Sequence, residues 1–99
     1  MNPKGQSVRI IVHEPSEWNK GNLFGRILSQ RDGNKLLLKL SKSIQGANLT
    51  SDLILLKPLN EKETFKPLSQ YYSVMVSGDL INEDSNISER IISGSVTYD

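Results

Sequence analysis

Leu23-Phe24-Gly25-Arg26-Ile27-Leu28-Ser29-Gln30-Arg31-Asp32-Gly33-Asn34-Lys35-Leu36-Leu37-Leu38-Lys39-Leu40 is two apolar runs joined by a turn signal. Asp-Gly between such runs reads as a two-residue type I′ hairpin turn, because both central positions need positive φ. Counting back from that turn sets a register. Ser29 then faces Leu36, Ile27 faces Leu38 and Gly25 faces Leu40 on one side. Leu28 faces Leu37, Arg26 faces Lys39 and Phe24 faces Ser41 on the other. Gly25 has no side chain to pack, which suits a barrel corner.

The same pattern extends outward along the chain. Apolar bursts recur at 8–12, 23–28, 36–40, 53–56, 71–76 and 91–98, and each is rich in branched or aromatic residues. Pro15-Ser16, Asn19-Lys20-Gly21-Asn22 and residues 82–86 separate them as turn-forming clusters. Short strands at regular spacing imply an all-β barrel or sandwich. Residues 16–20 and 86–91 each allow one short helical turn. Ile10-Ile11-Val12, Leu36-Leu37-Leu38 and Leu53-Ile54-Leu55-Leu56 do not alternate with polar residues. A strand with one wet face alternates and a strand covered on both faces does not. The outer face therefore calls for a cover, and the C-terminal part of the chain is the local candidate, with a partner or second copy as rivals.

The 99 residues carry 12 Lys+Arg, 11 Asp+Glu, one His and no Cys. That length suits a single domain. Leu, Ile, Val and Phe are too frequent for an intrinsically disordered chain. Without cysteine there is no disulfide, thiolate metal site or cysteine nucleophile. The longest apolar run, residues 53–56, is far too short for a membrane helix. Met1-Asn2-Pro3-Lys4-Gly5 lacks the apolar core of a signal peptide, so the expectation is a cytoplasmic protein. Charge is unevenly spread. Residues 1–59 hold nine Lys/Arg against four Asp/Glu, and residues 60–99 hold three against seven.

Residues 7–59 resemble the SH3-like small β-barrel superfamily, of KOW or Tudor type. The resemblance is carried by Ser7-Val8-Arg9-Ile10, a loop holding Trp18, Gly21-Asn22-Leu23-Phe24-Gly25-Arg26-Ile27, the Asp-Gly hairpin, residues 36–40 and Asp52-Leu53-Ile54-Leu55-Leu56. It implies a binding module that uses loop aromatics and the barrel face. Trp18 and Phe24 alone cannot build a Tudor-type aromatic cage, and residues 60–99 have no counterpart in a minimal barrel. The expected architecture is one domain over 1–99. It comprises a barrel of about five strands at 7–59, a connector at 60–70 and a C-terminal β-hairpin at 71–98 packed on the barrel.

Catalysis finds little support. His13 is the only histidine, and no Gly-x-Ser-x-Gly elbow or phosphate-binding glycine loop occurs. No catalytic residue, metal ligand or cofactor is assigned. Asp79, Asn82, Glu83, Asp84, Asn86 and Glu89 lack the spacing of a calcium loop and read as a solvated hairpin loop. Arg26 and Lys39, directly opposed, form a like-charge pair that disfavours the hairpin. Arg31, Lys35 and Lys42 sit on or beside the same strands. The functional reading is an anion-binding face with Phe24 available for stacking. The structural reading is that the acidic segment neutralises it or the side chains splay into water. Trp18 reads equally as a binding anchor or as a plug for one end of the barrel. Tyr71-Tyr72 puts one ring in and one out. The expectation is a non-catalytic interaction module, binding a protein partner through Trp18, Phe24, Arg26, Lys39, Arg31 and Lys35. The alternatives are a nucleic-acid-binding barrel, an enzyme and a homodimer.

Overall fold

The computed structural model describes residues 5–18, 21–31, 34–60, 73–84 and 88–98. Among them are six strands: β1 (Ser7–Glu14), β2 (Leu23–Arg31), β3 (Lys35–Gln45), β4 (Thr50–Pro58), β5 (Ser73–Ile81) and β6 (Ser88–Tyr98). Each pairs antiparallel with its sequence neighbour, and β1 pairs with β6, which closes the barrel. Closure leaves no free outer edge strand. The fold is all-β, as the burst pattern predicts, and no described residue is helical.

Side chains alternate in and out along the staves except where the register shifts. Val8, Ile10, Ile27, Leu36, Leu38, Leu40, Ile54, Leu56, Val74, Val76, Leu80, Ile92 and Val96 fill the interior as one core cluster. A six-stranded barrel is narrow, so backbone must come close in places. A Cβ at Gly94 would fall on the carbonyl oxygen of Ile11, so any larger residue there pushes β1 off β6. A Cβ at Gly25 would lie 2.7 Å from the carbonyl oxygen of Lys39.

The 23–40 hairpin forms, with a corrected register. Gly25 faces Leu40, Arg26 faces Lys39 and Ile27 faces Leu38, as counted. Beyond Ile27 the ladder slips by one. Ser29 faces Leu37, Gln30 faces Leu36 and Arg31 faces Lys35, leaving Leu28 as the extra residue of a β-bulge. Three residues therefore separate the last pair, where a two-residue turn was expected. A bulge bends a strand and increases its twist, which a closing barrel requires. The turn type itself involves Asp32 and Gly33, which lie outside the described residues.

Residues 7–59 supply four strands where about five were expected. The reason is that β3 is long and bent. After Lys39↔Leu53 its ladder with β4 resumes only at Ile44↔Ser51. The C-terminal strand pair forms as β5 and β6, running from Ser73↔Thr97 to Ile81↔Ser88. It joins the first four strands edge to edge, β5 on β4 and β6 on β1, as two staves of the wall. The unbroken apolar runs thus place a second set of residues on the outer wall. Leu37 and Ile81 are buried there, outside the core cluster, while Leu53 and Leu55 are half-buried. The register sets Leu37 beside Leu55 and Leu53 beside Ile81, so they form one strip across β3, β4 and β5. The connector and the Tyr71-Tyr72 pair lie outside the described residues.

Candidate functional site

The hairpin brings Phe24, Arg26 and Lys39 together on the outer wall. Phe24 is 49% exposed, one of three large apolar side chains that are open to solvent among the described residues. It stands between two adjoining clefts. One, about 460 Å³, has buried Val8, Gly25 and Leu40 at its base and Leu28, Arg26 and Lys39 around them. The other, about 390 Å³, lies between the start of β2 and the far end of β3, lined by Asn22, Leu23 and residues 40–44. Both volumes fall in the range of ligand-binding clefts.

The opposed like charges splay apart. Arg26 Nη1 donates to the Gly5 carbonyl oxygen at 3.3 Å, toward β1. Lys39 Nζ lies 3.9 Å from Asp52 Oδ2, toward β4, with Lys39 well exposed and Asp52 partly so. Such an ion pair is worth little in water. Arg9 faces Phe24 across the β1–β2 ladder, and Lys42 is exposed beside the second cleft. Arg9 Nε is buried with no hydrogen-bond partner, as is Oγ1 of Thr97, which faces it on β6. Phe24 thus has four cations around it, with Asp52 the one acidic group in an ion pair there among the described residues.

Two carboxylates of the C-terminal third, Asp79 and Glu89, are engaged away from this groove. Asp79 Oδ1 accepts from Arg90 Nε at 2.5 Å, a pair within the β5–β6 hairpin. Glu89 accepts from the backbone N–H of Ala47 at 2.6 Å and of Asn48 at 2.8 Å. Its carboxylate fills the space where a Cβ at Gly46 would stand. Sequence reasoning placed Glu89 in a solvated loop. No local signal marks this clasp, because its partners are more than forty residues away.

The remaining candidates lie apart from the groove. Arg31 and Lys35 pair at the far end of the hairpin, five residues or about 17 Å along β2 from Arg26. Lys35 borders a shallow depression with Asn34, Lys57, Pro58 and Leu59. Trp18 is half-buried and packs against the core, and its Nε1 donates to the Gly21 carbonyl at 2.9 Å. A second exposed apolar pair, Leu59 and Met75, is joined by a 2.8 Å bond from Leu59 N–H to the Met75 carbonyl.

Among the described residues no group of three His, Cys, Asp or Glu is placed to hold a metal ion. His13 Nε2 lies 3.4 Å from Ser95 Oγ across β1 and β6. That is a long cross-strand contact with a largely buried serine within β6. No helix of the described residues is long and apolar enough to cross a membrane. The class defined by these features is a small closed six-stranded antiparallel β-barrel with a basic, aromatic-bearing groove on β1–β3. No family model, no curated protein and no solved structure matches the chain.

Proposed function

We propose that the chain is a non-catalytic interaction module that binds a protein partner through the β1–β3 groove. Phe24 is the apolar anchor, and Arg26 and Lys39 form the charged rim. The observation behind this reading is the half-exposed Phe24 ring between two clefts. Burying a phenylalanine contributes about 1.5–3 kcal/mol, and roughly half of that is left unused while the ring faces water. A partner that covers it recovers the difference. Aromatic and arginine side chains in such clefts are the residue types that dominate interface energetics. Arg31 and Lys35, at the hairpin tip, act on encounter rates through long-range attraction of an acidic partner. An SH3-like barrel of KOW or Tudor type would bind on this kind of face, and the small antiparallel barrel supports that placement as far as the fold goes.

Affinity capture from the native lysate tests the reading, with Arg26→Glu/Lys39→Glu as the control. Partner proteins held by the unaltered chain and lost from the double variant are the expected result. Recovery of the same partners by both proteins contradicts the site. The second reading, a nucleic-acid-binding barrel, is favoured by the four cations around one stacking ring. It predicts retardation of a single-stranded oligonucleotide at micromolar protein, weakening steeply as salt rises.

A further inference from the structure

We propose, resting on the protein-binding reading above, that the partner segment docks as an added β-strand in the split between β2 and β3, and that this segment is an acidic, extended peptide. The argument begins with the ladders. Between β2 and β3 the register runs from Arg31↔Lys35 down to Gly25↔Leu40 and stops. Leu23 and Phe24 continue to pair with Ile10 and Arg9 on β1, so β2 goes on while its β3 side is open. Across the gap, residues 41–43 belong to no ladder, since pairing with β4 skips from Lys39 to Ile44. Two strand segments thus diverge and face each other over a cleft of about 390 Å³. Here the closed barrel presents unpaired strand on both sides of a gap.

An extended peptide satisfies such a site by strand addition. Its backbone bonds to the open ladder positions, and alternate side chains enter pockets on one face. The adjoining cleft beside Phe24 takes an apolar side chain over Gly25 and Leu28. Lys42 at the split, with Arg26 and Lys39 at the neighbouring rim, selects carboxylates on the alternate positions. A nucleic acid strand would use the cations and one ring but leave the open backbone positions unmatched.

The test uses the full chain and a short fluorescein-labelled peptide of alternating glutamate and valine. Three comparison probes are the lysine–valine analogue, the same acidic peptide N-methylated at alternate amides, and a short oligothymidylate. The acidic peptide is expected to bind, and Phe24→Ala to weaken it. Losing about two backbone hydrogen bonds to N-methylation weakens binding roughly tenfold. The lysine analogue binds more weakly still. On binding, the amides of Ser41 and Ser43, which by strand alternation face β2 as Lys39 does, gain protection from hydrogen exchange, and those of Gln30 and Leu36 do not change. If N-methylation has no effect, or protection fails to rise at Ser41 and Ser43, strand addition is wrong and side chains alone make the contact. If the acidic peptide does not bind while lysate partners are still captured by the unaltered chain and lost by Arg26→Glu/Lys39→Glu, the inference fails and the protein-binding reading survives. Tighter binding of oligothymidylate than of the peptide overturns both.

Discussion

The wall formed by β5, β6 and β1 and the wall formed by β2 and β3 obey different rules. On the first, the ladder between β5 and β6 spans both strands from Ser73↔Thr97 to Ile81↔Ser88, and β1 adds a long second seam. Its charges are settled internally, Asp79 by Arg90 and Glu89 by two backbone N–H groups. On the second, β1 shares only Ser7 to Ile10 with β2, and β3 leaves its ladders at 41–43. Its cations gather around an exposed ring. The difference teaches that the continuous seams and the exposed ring with its cations lie on opposite sides of one small barrel. The long seams hold the closure, and the interrupted seam is where backbone and cations are left for something else.

Substitutions should separate the two walls. The largest effect belongs to the closing seam. Gly94→Val forces a side chain into the Ile11 carbonyl and should cost about 3 kcal/mol or more, since overpacking against backbone has little room to relax. Urea denaturation measures it, and a loss under about 1 kcal/mol would mean that β1 and β6 are not tightly joined. Leu38→Ala empties a fully buried position and should cost about 2–5 kcal/mol by the same assay. Glu89→Ala removes the clasp on residues 46–49 and should cost about 1–2 kcal/mol, with Glu89→Gln recovering part of it. Phe24→Ala and Lys39→Ala, on the interrupted wall, should change stability by no more than about 1 and 0.5 kcal/mol. A large loss at Phe24 would make the ring structural and erase the contrast between the walls.

Much of this was legible in the chain. The apolar bursts mark all six strands, and the pairing of Ile27 with Leu38 and Arg26 with Lys39 follows from counting. The bulge at Leu28 was not readable, because Leu28 and Ile27 are equally apolar and either fits the inward position. Closure of β6 on β1 joins segments at opposite ends of the sequence, and a short branched run such as Ile10-Ile11-Val12 suits any neighbour. That is why the C-terminal hairpin read as a cover for the barrel. Of the candidate site, the register alone places Phe24, Arg26 and Lys39 on one side of the hairpin. Arg31 and Lys35 share their strands but sit at the other end of them. Trp18 could not be assigned from a loop position alone. The open stretch Ser41-Lys42-Ser43 was hidden because three small or charged residues look like any solvated strand. Only the loss of a ladder partner on each side distinguishes them.

Native-state hydrogen exchange on the free protein tests the division most directly. The amides of Val74, Val76 and Val96, held in the long seams, should exchange only through global unfolding, with free energies equal to the denaturation value. Those of Ser41, Lys42 and Ser43 should exchange far faster, through local fluctuation at most. Protection at Ser41, Lys42 and Ser43 equal to that of the long seams would contradict the account, because the split between β2 and β3 would then be closed and the barrel uniform all round.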